Sequence, residues 1–133
     1  MTTLTPPLCL IIENLRLQSE SNLRGHWRKH HARHKAQRAD TYWWLRHWFP
    51  APPALPLTIT ITRVAPHMLD DDNLAASGKH VRDGIADWLD NAPGQGQDRR
   101  PGLQWRYAQR RGGVRQYAVE ITIAPGEEDR DAQ

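Results

Sequence analysis

Asp70, Asp71 and Asp72 stand side by side, followed by Asn73-Leu74 and a stretch with helical spacing. Carboxylates this close repel and raise one another's pKa, so a run of them at the edge of a core calls for a cation. Hard oxygen donors of this kind suit a divalent ion such as Mg²⁺ or Mn²⁺. A second explanation competes for the same residues. Asp and Asn are good helix N-caps: their side-chain oxygens accept from free N–H groups of the first turn, where the helix dipole also favours acid. Capping accounts for one or two of these positions, and three consecutive acids exceed what a cap requires.

The distribution of charge suggests what such a cation would act on. The net charge is only +3. Arg24, Arg28, Lys29, Arg33, Lys35, Arg38 and Arg46 nevertheless share one stretch with the single acid Asp40, accompanied by His26, His30, His31, His34 and His47. A second block, Arg99, Arg100, Arg106, Arg110, Arg111 and Arg115, has no acid between its ends. Basic blocks on either side of an acidic triplet fit a polyanion gripped by the blocks and handled by the triplet, although each block also reads as an ordinary solvated surface. Arginine predominates, and its planar fork matches phosphate oxygens. Trp27, amid Arg, Lys and His, is placed either to stack on a base or sugar or simply to pack. Lys79, seven positions after Asp72, can reach a bound phosphate or form a surface pair with Asp83. His26 and His30 are helically spaced, so a zinc module built on His26, His30, His31 and His34 is a further reading, one that the basic setting and lack of nearby Cys disfavour.

Elements must bring these groups together. A chain of 133 residues, 38% hydrophobic and 25% charged, fits one soluble domain, placed here at 1–125, with an acidic, apolar-poor and disordered tail at 126–133. Leu8 to Ile12 reads as a short buried strand, and Cys9 within it as a small buried hydrophobe unable to make an internal disulfide. Helical spacing runs from about Arg33 to Trp48, where Pro50, Pro52, Pro53 and Pro56 stop it. Trp43, Trp44 and Trp48 on that helix are expected in the core or in an interface. Leu57 to Thr62 alternates strictly and reads as a strand whose pairing ends by Pro66. Asp72 to Leu89 reads as one helix with a buried stripe of Leu74, Gly78, Val81, Ile85 and Leu89, Gly78 admitting a close neighbour. Leu103 to Gln109 and Tyr117 to Ile123 read as strands of a hairpin turning at Gly112-Gly113. The expected fold is α/β (α+β), a small mixed sheet with two main helices. No apolar run approaches the ~20 residues of a membrane span, and the first residues lack a signal-peptide pattern, so the expected location is cytoplasmic, on the nucleoid.

Asp70-Asp71-Asp72-Asn73-Leu74, followed by Lys79-His80-Val81-Arg82-Asp83-Gly84-Ile85, resembles the RusA-like Holliday junction resolvases, in which an acid-x-acid-Asn-Leu string precedes a Lys-x-x-x-Asp helix. Asn22, Trp27-Arg28 and the run from Lys35 to Arg38 resemble that family's basic entry segment. The resemblance follows the order of elements from Leu8 to Ile123. It implies a homodimeric, Mg²⁺- or Mn²⁺-dependent endonuclease that resolves four-way junctions in branched DNA, with no organic cofactor and no membrane partner. It assigns Asp70 and Asp72 to the metal, Lys79 to catalysis, and Asp98 to the third metal position with Asp90 as its rival. Asn22, Arg24, Trp27, Arg28, Lys29, Lys35, Arg38, Asn73, Arg99 and Arg100 fall to DNA. The alternative is a non-catalytic relative that binds branched DNA with its acids serving only as caps.

Overall fold

The computed structural model describes residues 6–19 and 27–126. Strand β1 (Leu8–Glu13) is followed by helix α1 (Trp27–Trp48), strand β2 (Leu57–Ala65), helices α2 (Asp71–Ser77) and α3 (Lys79–Asp90), and strands β3 (Leu103–Arg111) and β4 (Ala118–Pro125). It is a small α+β protein: a four-stranded mixed sheet with three helices. Asn22 and Arg24, part of the expected basic entry, and the tail after Gly126 lie outside the described residues.

The strand order is β1-β4-β2-β3, with β2 parallel to β3 and antiparallel to β4. The helical connection from β2 to β3 is what permits the parallel pairing, because parallel neighbours need a long crossover. The expected β3–β4 hairpin does not form: β4 lies on the far side of β2, registered Ile61 to Ile121 and Ile59 to Ile123. Side-chain demand explains the exchange. β4 buries Val119, Ile121 and Ile123 almost completely, whereas β3 carries Gln104, Arg106, Arg110 and Arg111 and is only partly covered. The apolar strand takes the interior position and the charged one the edge, where charged side chains discourage pairing with another chain.

The long helices cover one face of the sheet. Tyr42 and Leu45 of α1 join Val81, Ile85 and Trp88 of α3 above Ile59, Ile61, Val119 and Ile121 in one cluster. α1 crosses α3 at Gly84, where an added Cβ would lie 2.5 Å from the Arg38 carbonyl oxygen. Helix α1 begins at Trp27, a turn and a half before the expected start, since nothing between Trp27 and Ala32 breaks a helix. The second expected helix is interrupted at Gly78, which caps α2 and starts α3. A Cβ there would sit 2.9 Å from the Tyr107 ring, so the anticipated close neighbour is the edge strand.

Two expectations about burial are corrected. Trp43, Trp44 and Trp48 are 59%, 46% and 57% exposed, which removes them from the core, because Gln37, Thr41, Tyr42 and Leu45 form the inward face of α1. Cys9 is also exposed: the two-residue alternation of β1 turns Leu10 and Ile12 inward and Cys9 out toward Glu120. Among the described residues no helix is long and apolar enough to cross a membrane.

Candidate functional site

The acidic triplet lies where β2 gives way to α2. Its approach is held by a residue with no sequence signal, Gln109 of β3, whose amide accepts from the Leu69 N–H at 2.9 Å and donates to the Leu69 carbonyl at 2.7 Å. This clamp between β3 and the loop after β2 sets where Asp70 begins the helix. Asp70 is the N-cap, with φ −69° and ψ 166°. Its Oδ1 accepts from the Asn73 backbone N–H at 2.9 Å and its Oδ2 from Asn73 Nδ2 at 3.0 Å. Ser19 donates to Asn73 Oδ1 at 3.1 Å, tying the segment after β1 to the same corner. The capping account therefore holds for Asp70. Asp71 and Asp72 occupy the exposed first turn, and neither has a hydrogen bond or ion pair among the described residues. Lys79 is exposed at the start of α3.

A second group of charges fills the seam between α1 and α3. Asp87 is 1% exposed and receives Arg38 through both Nε and Nη2 at 2.8 Å, plus the Gly96 N–H at 2.7 Å. Burial pushes this carboxyl up, but the Arg38 hydrogen bonds and the N–H groups of Gly94 and Gly96 outweigh it and hold the pKa below the ordinary value. Asp83, one turn earlier, is pushed the other way. Burial raises its pKa, Arg38 and Lys79 pull it down, and the nearby Asp98 and Asp87 add to the rise. Arg38, assigned to DNA by resemblance, is thus engaged by Asp87, with its side chain 30% exposed.

The later acids are also engaged. Asp98 Oδ2 lies 2.8 Å from Arg82 Nε, close enough for charge pairing but not aligned for a hydrogen bond from that N–H. Arg82 spans Asp98, the Tyr107 hydroxyl at 3.3 Å and the Trp105 ring at 4.8 Å. Asp90 pairs with Arg100 at 2.8 Å and accepts from the Gln97 N–H at 2.7 Å. Asp70, Asp72 and Asp98 do not form a common cage: among the described residues no group of three or more His, Cys, Asp or Glu side chains is arranged to hold a metal ion. The same finding leaves His30, His31 and His34 without a zinc geometry; His26 lies outside the described residues. His34 instead stacks on His80 of α3, centroids 3.8 Å apart.

The expected DNA contacts divide. Trp27 is 68% exposed with the Arg28 guanidinium 5.6 Å from its ring centroid, and Lys29 and Lys35 are exposed along the first half of α1. Arg99 is exposed, while Arg100 is half exposed even in its pair with Asp90. The donor set at the triplet fits Mg²⁺ in its usual habit of one or two carboxylates completed by water and substrate phosphate, because a carboxylate that caps a helix keeps unused lone pairs. It does not fit a cage of three carboxylates that includes Asp98.

Searches against protein-family models, curated proteins and solved structures find no match to this chain.

Proposed function

We propose that this chain is a metal-dependent endonuclease acting on branched DNA, of the type that the RusA-like resolvases represent. The observation that carries the reading is the pair Asp71 and Asp72, exposed and, among the described residues, without a cation partner, whereas Asp87, Asp98, Asp90 and Glu120 are each paired with an arginine. Asp70 and Asp72 would hold Mg²⁺ or Mn²⁺. When bound, such an ion supplies an activated water and offsets charge on the scissile phosphodiester. Asn73 fixes the Asp70 carboxylate through two hydrogen bonds and so orients it. Lys79, exposed one helix break later, offers an ammonium to the developing negative charge. The exposed Arg28, Lys29, Lys35 and Arg99 bind flanking phosphates, with an affinity that falls steeply as salt rises.

A four-way junction is two-fold symmetric, so two cuts call for two copies of the site. The outer face of α1 supports a symmetric dimer. Asp40, Trp43, Trp44 and His47 line an open groove of about 430 Å³. With two α1 helices antiparallel about an axis between Trp43 and Trp44, Asp40 meets His47 of the second copy, Trp43 meets Trp44, and Ala39 receives Trp48. Small residues face large ones, and acid faces base. Sedimentation should show a dimer for the native chain and a monomer for Trp44→Glu; a native monomer at micromolar concentration removes this part of the proposal.

Cleavage of a fluorescent four-way junction tests the activity. Product should require Mg²⁺ or Mn²⁺ and should be lost in Asp72→Asn with junction binding retained. Unchanged cleavage in that variant overturns the assignment. The engagement of Asp98 with Arg82 and of Asp90 with Arg100 favours a second reading, a non-catalytic binder of branched DNA. That protein would bind junctions equally with Mg²⁺ or with chelator and would yield no product under either condition.

A further inference from the structure

Arg63, in the last part of β2, is only 7% exposed. Its Nε donates to the Leu17 carbonyl at 2.9 Å and its Nη1 to the His67 carbonyl at 2.6 Å. These bonds satisfy two of its N–H groups but leave its charge uncompensated, because no carboxylate lies within ion-pair distance among the described residues. Arg38, Arg82, Arg100 and Arg110 each have such an acid. A guanidinium cannot shed its proton in a protein, and a buried charge is costly unless paired. Burial depresses the Arg63 pKa, Tyr117 opposes that, and the neighbouring Arg16 cation adds to the depression.

A cavity of about 260 Å³ opens beside Arg63. Arg16, Gln18, Ser19, His67 and Tyr117 contribute to its wall, and among the described residues no acidic one lines it. Arg16 is held there with its guanidinium 4.4 Å from the Tyr117 ring centroid. Two cations, one of them buried, thus border a cavity furnished with two hydroxyls, an amide and an imidazole. Pockets for whole small molecules span roughly 300–1,000 Å³, so this one suits a single charged group and its waters.

We propose that this cavity is a phosphate-binding pocket in which Arg63 and Arg16 receive the oxygens of one phosphoryl group. It borders Leu69, the residue before Asp70, and Ser19, which is bonded to Asn73. A phosphate held here lies alongside the acidic corner, and the pocket stands whether or not a strand is cut there. The same chemistry is offered by a phosphodiester within a nucleic acid strand and by free phosphate.

Thermal unfolding and calorimetry of the full chain with inorganic phosphate, against chloride at matched ionic strength, test the pocket without reading cleavage. Phosphate should raise the melting temperature where chloride does not. Arg16→Ala, an exposed substitution that leaves the Arg63 carbonyl bonds in place, should weaken phosphate binding tenfold or more, and Arg63→Lys should weaken it further. A native chain that responds equally to phosphate and chloride overturns the proposal, as does an Arg16→Ala chain that binds phosphate like the native one. A short single-stranded oligonucleotide lacking terminal phosphates identifies the source. Competition with inorganic phosphate assigns the pocket to a strand phosphodiester, and phosphate binding without competition assigns it to the free anion.

Discussion

The acidic corner at the start of α2 and the seam between α1 and α3 use the same residue type for opposite ends. In the seam, Asp87 is buried, bound by both nitrogens of an arginine fork and by a glycine N–H, and its helix meets α1 where only glycine fits. At the corner, Asp71 and Asp72 are exposed with no partner among the described residues, while Asp70 is tied to its own helix. Charge in the seam is neutralised to hold two helices together. Charge on Asp71 and Asp72 has no such neutralising partner among the described residues, the condition that the proposed cation site needs. Position within the fold, rather than residue identity, separates structural from available carboxylates.

Removing the seam acid should produce the largest effect. Asp87→Ala takes away the carboxylate on which both Arg38 nitrogens and the Gly96 N–H converge; breaking a buried pair by losing one partner costs about 3–5 kcal/mol, and the 30% exposure of the Arg38 side chain puts this pair at the lower end. Denaturant unfolding should register that loss, and a change below 1 kcal/mol would erase the distinction between the regions. The Asp87 carboxyl is depressed below its ordinary value of 3.8, so its stabilisation is present above that value and is lost as pH falls through the folded-state pKa. Acid unfolding of the native chain should therefore be steep below about pH 4, and this component should be absent from Asp87→Ala.

At the corner the effects should be smaller and graded. Asp70→Ala removes the cap and should cost about 1 kcal/mol, within the range of 0.5–2 usual for N-caps. Asp72→Asn, at an exposed side chain with no bond among the described residues, should stay within about 0.5 kcal/mol of the native stability while losing the proposed cleavage. If Asp72→Asn destabilises as much as Asp70→Ala, the open-acid description fails.

Asp83 sharpens the comparison from within the seam. Its raised pKa means that the folded chain holds the proton more tightly than the unfolded one, a contribution present below 3.8 and lost as pH rises through the folded value. Asp83→Asn should therefore gain stability relative to the native chain at pH 7 and lose that gain at pH 3. Thermal melts at the two pH values measure the difference, and a gain equal at both would mean that burial does not act on this carboxyl.

The local elements were legible because short-range periodicity encodes them. The alternation of Leu57 to Thr62 marked β2, and the stripe of Leu74, Val81 and Ile85 marked the buried side of α2 and α3. The triplet with its following Asn marked a helix start and a corner rich in oxygen donors. Ser19 and Gln109, which position that corner, carried no local signal, since each acts on a segment distant in sequence.

Tertiary structure alone decided the rest. Gly112-Gly113 suggested a hairpin, but the apolar face of β4 had more to gain beside β2 than beside the charged β3, and a loop crosses the end of β2 to allow it. Arg38 looked like one cation among many until α3 brought Asp87 to it, and Arg63 fell just past the alternation of Leu57 to Thr62 until the fold kept it in β2 and buried it at the wall of a cavity. Periodicity along a chain reports which face of an element is apolar. The partner of a charge depends on which distant segment the packed core brings alongside it, and that is set by the sum of contacts rather than by any local spacing.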